Sequence, residues 1–344
     1  MVGSTAAYTP HFESVARGVP AFADFTFLYL AMLIYIRLLM TAPVPKNSEH
    51  FQGIVLMIVA SLIWPSMPVA IAEVISTVSP FVQIATRFTI GAVVFAPFAR
   101  NLNRELVRDG AILGLLMFAA FVTQTMALET IAANQASFTL GLVVILITLF
   151  EVVFYRRLSL MAILAAAFSF TGIGIMSWQN GPPPIGAVLM LICALLIAAI
   201  VILLEKIAPR HPLLPLTVIQ LWVIAILSWL LVAPQLIGQI EVISTNLINP
   251  KNLVALLYLG IVGTGIVTWL QAKALSRITA FEGGLIQTLE PVFGSIYAFF
   301  LLGETFSMRG YVGAVMVIVG MIMALSQRKA DAQSDRAIEL EEAT

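Results

Sequence analysis

The sequence predicts an all-α integral membrane protein with ten transmembrane helices, arranged as two inverted five-helix repeats. Three observations lead there. The 344 residues are 60% hydrophobic and only 10% charged, against about 25% charged in a soluble domain. The apolar residues gather in runs of about 20, the length a helix needs to cross a bilayer core. Short motifs in the first half of the chain also return, in the same order, in the second.

Composition excludes several classes. Net charge is zero, so nothing points to nucleic acid as a partner. Cys193 is the single cysteine, which rules out an intrachain disulfide or a thiolate metal site. His11, His50 and His211 lie outside the long apolar runs, and so do the four aspartates, Asp24, Asp109, Asp331 and Asp335. No cofactor motif is present.

Residues 1–50 form an N-terminal segment. Its apolar run at 25–40 is interrupted by Arg37 and is short for a span. It reads as an interfacial stretch, a short extra span or a signal-like segment, or as sequence ahead of a start at Met40. Length favours no true span. Ten spans follow, near 52–72, 79–99, 109–128, 133–154, 159–178, 185–205, 213–234, 252–272, 279–302 and 308–326. Short connections make neighbouring helices antiparallel hairpins. The first repeat covers 51–180, Gly181 to Pro184 divide the halves, the second repeat covers 185–327, and 328–344 is a polar tail.

Loop charge sets the orientation. One set of loops carries Arg100, Arg104, Arg108, Arg156, Arg157, Lys206, Arg210, Lys273 and Arg277, with Arg328, Lys329 and Arg336 in the tail. The alternate set carries Lys251 and Arg309. The first set, and with it the C-terminus, is expected in the cytoplasm, as for a multi-pass protein of a bacterial-type plasma membrane.

The repeats show in the residues. Gly53-Ile-Val-Leu-Met57 opens span one, and Gly186-Ala-Val-Leu-Met190 opens span six. The same offset sets Arg87 opposite Gln220. Gln124 before Ala127-Leu128 matches Gln271 before Ala274-Leu275, and Gly172 matches Gly320. Five spans per half is an odd number, so the second half must be inverted in the membrane. Inverted repeats are a transporter architecture, with the site near the midplane where the repeats meet.

The stretch from Ala274 to Phe293, ALSRITAFEGGLIQTLEPVF, closing with Leu302 to Ser307, LGETFS, resembles the second repeat of the drug/metabolite transporter superfamily, EamA-like branch. Arg87-Phe88 and Trp64 are similar to its first repeat. The resemblance covers about residues 50–327. It implies a ten-helix exporter-type carrier whose cavity is bounded by spans one, three, four, six, eight and nine. Three departures stand out: Val143-Val144 in place of the first repeat's Glu-Pro, Arg156-Arg157 where Gly-Glu is common, and Trp64-Pro65 where Trp-Gly is usual.

Glu290, followed by Pro291, is a carboxylate inside a span. It could bind a cationic moiety or a proton, or act structurally by pairing with Arg87 or with a helix end freed by Pro291. The recurrence of Glu-Pro across the superfamily favours structure. Arg87 could meet an anionic substrate, but such an arginine more often ties helices together, and it is taken as a structural charge. Glu73, Glu205 and Glu282 sit at span ends, where charge reaches the interface cheaply. Pro65 and Pro68 break span one beside Trp64, and irregular backbone at that depth requires protein or a wet cavity around it. Gln124, Gln135, Gln271 and Gln287 could hydrogen-bond a polar solute or one another's helices. Phe138 and Trp269 complete the substrate-binding candidates with Trp64 and Glu290. Gly310, Gly313 and Gly320 read as packing, with a homodimer contact as the alternative.

The leading expectation is a secondary carrier, not an enzyme, exporting an amino-acid-like or other neutral or zwitterionic solute by alternating access. The rival within that class is a nucleotide-sugar or phosphate-ester antiporter, which needs several basic residues in the spans where only Arg87 is present. A membrane-embedded enzyme lacks histidine and aspartate within the apolar runs.

Overall fold

A computed structural model describes residues 49–155, 160–177, 185–236, 245–287, 289–303, 307–320 and 323. Residues 1–48, Arg156-Arg157, the Gly181 to Pro184 divider and the tail from 328 lie outside the described residues.

Every regular element among the described residues is helical, and the sequence encodes many of the helix starts. α1 (Glu49–Ile63) and α2 (Ser66–Ile75) are two parts of one apolar run. Pro65 has no N–H to donate, so the helix is interrupted there. Ser66 Oγ donates to the Ile63 carbonyl at 2.6 Å, and Met67 N–H closes a turn onto Trp64 at 2.9 Å. α3 (Pro80–Phe95) starts with Pro80 in its first turn and Ser79 Oγ accepting from Val82 N–H. α4 (Arg104–Ala127) starts with Asn103 Oδ1 accepting from Leu106 N–H at 2.8 Å.

α5 (Ala133–Leu140) and α6 (Val143–Tyr155) flank a break at Gly141-Leu142. α7 (Leu160–Ser177), α8 (Ile185–Ile207) and α9 (Leu213–Leu236) follow. α10 (Pro250–Leu257) passes through a π-helical stretch, Tyr258–Ile266, into α11 (Val267–Leu275). α12 (Ala280–Gln287) begins with a reciprocal cap. Glu282 Oε2 accepts from Thr279 N–H at 2.9 Å, and Thr279 Oγ1 accepts from Glu282 N–H at 3.2 Å. α13 (Glu290–Tyr297) ends in a π-helical turn, Ala298–Leu302, stopped by Gly303 at φ 68°, where a side chain would be strained. α14 is Met308–Gly320.

Among the described residues, six continuous stretches are long and apolar enough to cross a membrane: Glu49–Ile75, Pro80–Phe98, Arg104–Ala127, Ile185–Arg210, Leu213–Pro234 and Pro250–Leu275. They match the first three expected spans and the sixth to eighth. At the other four expected positions the described helices are shorter or interrupted: α5 with α6, α7, α12 with α13, and α14. Large apolar side chains face outward on many helices, Val93, Leu195, Ile226, Leu230 and Val315 among them. That suits a hydrocarbon surrounding.

Cross-chain packing follows a pattern. α1 packs on α11, and α8 packs on α4. In the first seam, a Cβ at Gly53 would fall 2.7 Å from Ile278 Cγ2 and 3.3 Å from the Ala274 carbonyl. In the second, a Cβ at Gly186 would meet Thr130 Oγ1, the Ala127 carbonyl and Ile131 Cγ2. Both glycines open their spans and both partner stretches close theirs, so the contact is made twice by corresponding residues. α9 packs on α3, pinned by Trp229 Nε1 donating to Thr89 Oγ1 at 2.7 Å and Trp222 Nε1 to the Ala92 carbonyl at 3.3 Å. Gly91 and Gly260 bring α3 and the π-helical stretch into backbone contact. Gly313 lies against Gly172 and Met176 of α7, and Gly320 against Ser169 and Ala165, so these two glycines are engaged within the chain.

Candidate functional site

A narrow space lies between helices beside the break in span one. Trp64, at the break between α1 and α2, borders it with Met117, Ala120 and Phe121 of α4, Ile197 and Ile200 of α8, and Gln271 of α11. The room open to the centre of a water-sized sphere is about 10 Å³, space for about one water and far below a small-molecule site, so the space is nearly closed in this conformation. Its wall is apolar except for the Gln271 amide and the Trp64 indole. Gln271 is buried and its Nε2 has no hydrogen-bond partner within the protein. Were the helices to part, a solute amide, carboxyl or hydroxyl could take that bond, with the apolar wall against the remainder.

The structure brings Trp64 and Gln271 together and places the other sequence candidates around them. Gln124 lies on α4 one turn beyond Phe121, buried, with both amide atoms unpartnered. Trp269, half-buried on α11, stacks under Lys273, whose Nζ is 4.8 Å from the ring centre. Gln135 and Phe138 are buried on α5, which packs on α13 rather than bordering this space. Gln287 and Glu290 face each other across the α12–α13 break, where the Gln287 side chain hydrogen-bonds the Glu290 carboxyl. The second carboxyl oxygen, Oε1, and the Gln287 Oε1 have no partner. Gly294, one turn on, packs against Ser137 of α5, which a Cβ there would strike.

The ion pair between Arg87 and Glu290, one of the alternatives the sequence leaves open, is not formed. Arg87 is fully buried and none of its guanidinium nitrogens is hydrogen-bonded. Its charge rests instead against two rings, with Cζ 4.8 Å from the Phe88 centre and 4.6 Å from the Phe121 centre. Two groups had no sequence signal. Met117, Phe121, Ile197 and Ile200 are apolar residues in apolar helices, and nothing in their identity marks a cavity wall. At the start of α4, Asp109 Oδ2 lies 2.9 Å from His211 Nε2, and its Oδ1 accepts from Arg108 at 2.9 Å. These join the start of α4 to the connection ahead of α9.

Residues 51–178 and 184–326 each match the model of the EamA-like transporter family. An uncharacterized transporter of Archaeoglobus fulgidus is 26% identical over 266 residues, covering 76% of this chain and 82% of that protein. A putative permease-like protein of Bacillus subtilis, YdzE, is 27% identical over 78 residues, which is 23% of this chain and 100% of that protein. A solved crystal structure superposes with a TM-score of 0.57 at 20% identity, covering 79% of this chain and 98% of its own. That likeness is one of fold.

Proposed function

We propose, from the premise that this chain belongs to the EamA-like transporter family and is a multi-pass membrane transporter, that it exports a small neutral or zwitterionic solute, amino-acid-like in size, by alternating access. The observation that carries this reading is the wall of the central space: aromatic and aliphatic side chains, one free amide, and no charged residue. A nucleotide-sugar or phosphate-ester antiporter would need basic side chains there, and the lining holds none.

Ten spans in two inverted repeats supply the movement in this reading. Its support is the seam made twice, Gly53 on 274–278 and Gly186 on 127–131, together with the two separate family matches. Rocking one repeat against the other would then open the space to alternate sides. On this reading the C-terminus lies in the cytoplasm, with the lysine and arginine asymmetry of the loops as its support. A reporter active only outside the membrane, fused after Thr344, stays silent on this reading, and strong external activity would refute the orientation.

The deciding experiment is a radiolabelled solute panel on proteoliposomes, comparing wild type with Trp64→Ala. At least one amino-acid-sized solute should exchange in wild type, with markedly slower exchange in Trp64→Ala and unchanged folding. Exchange confined to nucleotide sugars or phosphate esters would install the rival reading.

A further inference from the structure

A second cleft lies at one end of the helices, away from the central space. Pro97, Phe98 and Arg100, where span two closes, line one side of it, and Leu214 and Pro215, where span seven opens, line the other. About 290 Å³ of it is open to the centre of a water-sized sphere, close to the lower bound of small-ligand clefts, about 300 Å³. Its walls are apolar except for the one cation, Arg100.

The walls are held in place. Pro97 sits in the 3₁₀ turn Ala96–Phe98, and Ala99 N–H and Arg100 N–H donate back to the Ala96 and Phe98 carbonyls at 3.0 and 2.8 Å. Pro215 lies in the first turn of α9, where its fixed φ suits the helix and its missing N–H would have had no partner in the helix. Farther along, Trp222 Nε1 ties α9 to the Ala92 carbonyl of α3. His211 and Asp109 join the lead-in of α9 to α4. The cleft is therefore a preformed gap between two anchored helix ends.

Its position limits what can fill it. The membrane-length stretches Pro80–Phe98 and Leu213–Pro234 end and begin at the cleft, so it lies where hydrocarbon gives way to headgroups. Val93 and Val94, one turn before Pro97 and Phe98, are exposed, and so is Ile226 farther along α9. The apolar walls thus adjoin the hydrocarbon-facing surface, and Arg100 stands at the polar end. None of the described ion pairs includes Arg100, whereas Arg108 is engaged by Asp109. Arg104 and Arg210 add positive charge in the same region, and Glu105 is its other acid, so the rim is net positive.

We propose that this cleft binds one anionic phospholipid, with an acyl chain along Phe98, Leu214 and the two prolines and the headgroup phosphate on the Arg100 guanidinium. A phosphate can accept two parallel N–H bonds from a guanidinium, and basic side chains at the membrane surface attract anionic lipid. A soluble anion would use the cation and leave the apolar walls wet. An uncharged lipid would cover the walls and leave the cation without a counter-charge. An anionic phospholipid supplies both parts. Placing it in the cytoplasmic leaflet rests on the orientation proposed above, whereas the site itself does not.

The test follows the thermal midpoint of the purified full chain in detergent micelles as dioleoyl phosphatidylglycerol, dioleoyl phosphatidylcholine or inorganic phosphate is added. Wild type should show a saturable rise with phosphatidylglycerol, a weaker one with phosphatidylcholine and none with inorganic phosphate. Arg100→Gln should weaken the apparent phosphatidylglycerol affinity about fivefold, the scale of one basic residue at an anionic membrane surface, and leave the phosphatidylcholine response unchanged. Leu214→Trp, which fills the cleft, should weaken the response to both lipids. Arg104→Gln is the control, a nearby exposed arginine outside the lining, and should change the affinity far less. Equal losses in Arg100→Gln and Arg104→Gln would mean diffuse attraction to surface charge and overturn the site. An unchanged response in Arg100→Gln overturns it too, as does the lack of a saturable phosphatidylglycerol response in wild type or an equal response to inorganic phosphate. Should Leu214→Trp not fold, the two arginine variants decide. Phosphatidylglycerol binding together with an external C-terminal reporter would sink the orientation and leave the site standing. A silent reporter without lipid binding would do the opposite.

Discussion

Replacing Gly260 by alanine tests the close approach of α3 and the π-helical stretch. The added Cβ would stand 2.6 Å from the Arg87 carbonyl oxygen and 2.9 Å from Ile90 Cβ. The oxygen contact is about 0.7 Å inside the shortest ordinary carbon–oxygen approach of about 3.3 Å. Both obstacles are backbone or the first atom of a side chain, so neither can swing aside, and the two helices must separate. Overpacking of this kind costs about 1–3 kcal/mol. Against it stands a gain of about 0.5–1 kcal/mol for alanine over glycine in helical backbone. The net expectation is a loss of about 1–2 kcal/mol, a fall of a few degrees in thermal midpoint by the scaling of single domains. Gly174→Ala on α7 is the control, because a Cβ there meets nothing within 4 Å and only the helical gain remains. The assay is the fraction of purified protein left monodisperse after heating, read by size-exclusion chromatography. A midpoint for Gly260→Ala equal to or above that of Gly174→Ala would refute the close-approach argument.

Further outcomes follow from the polar contacts. Glu290→Gln should fold and still exchange solute, because glutamine can keep a hydrogen bond to Gln287; selective loss of pH-gradient-driven transport would instead make Glu290 a proton carrier. Asp109→Ala should lower stability by about 1–3 kcal/mol, since it strips the acceptor from buried His211 as well as from Arg108, and an unchanged midpoint would show that this cluster contributes nothing to the fold. Lys251→Ala should cost less than about 1 kcal/mol, for its ion pair with Glu73 is largely solvent-exposed on the lysine side; a large shift in midpoint would show the pair to be a latch rather than a surface contact.

What was legible in the sequence was whatever carried local chemistry. Ser79 with Pro80, Asn103, and Thr279 with Glu282 announce helix starts because a side chain must accept the first free N–H groups. Pro65 announces the break beside Trp64 because it lacks a donor. Gln271 and Glu290 stood out as polar atoms in apolar runs. Illegible were the features decided by distant partners. Phe121 and Ile197 resemble any other apolar span residue, because lipid and protein interior are equally apolar and the facing signal is weak. Asp109 and His211 are 102 residues apart, and only the fold brings them together. The residue type of Arg87 suggested a charge tying helices together, yet its guanidinium rests against two rings.

The seam built twice has a consequence for how the chain is held as one piece. Gly53 and Gly186 each seat the opening of one half against the end of the third long helix of the other half. The residues named in the two seams lie outside the link at 178–184. The covalent link therefore contributes chiefly effective concentration, while the two faces carry the recognition. Two polypeptides, one ending near Ser177 and one beginning near Ile185, already possess both halves of both seams. Co-expressed in one membrane, they should find each other and co-purify. Bulk placed at Gly53 and Gly186 together should separate them, whereas in the unbroken chain the tether should mask much of the same damage.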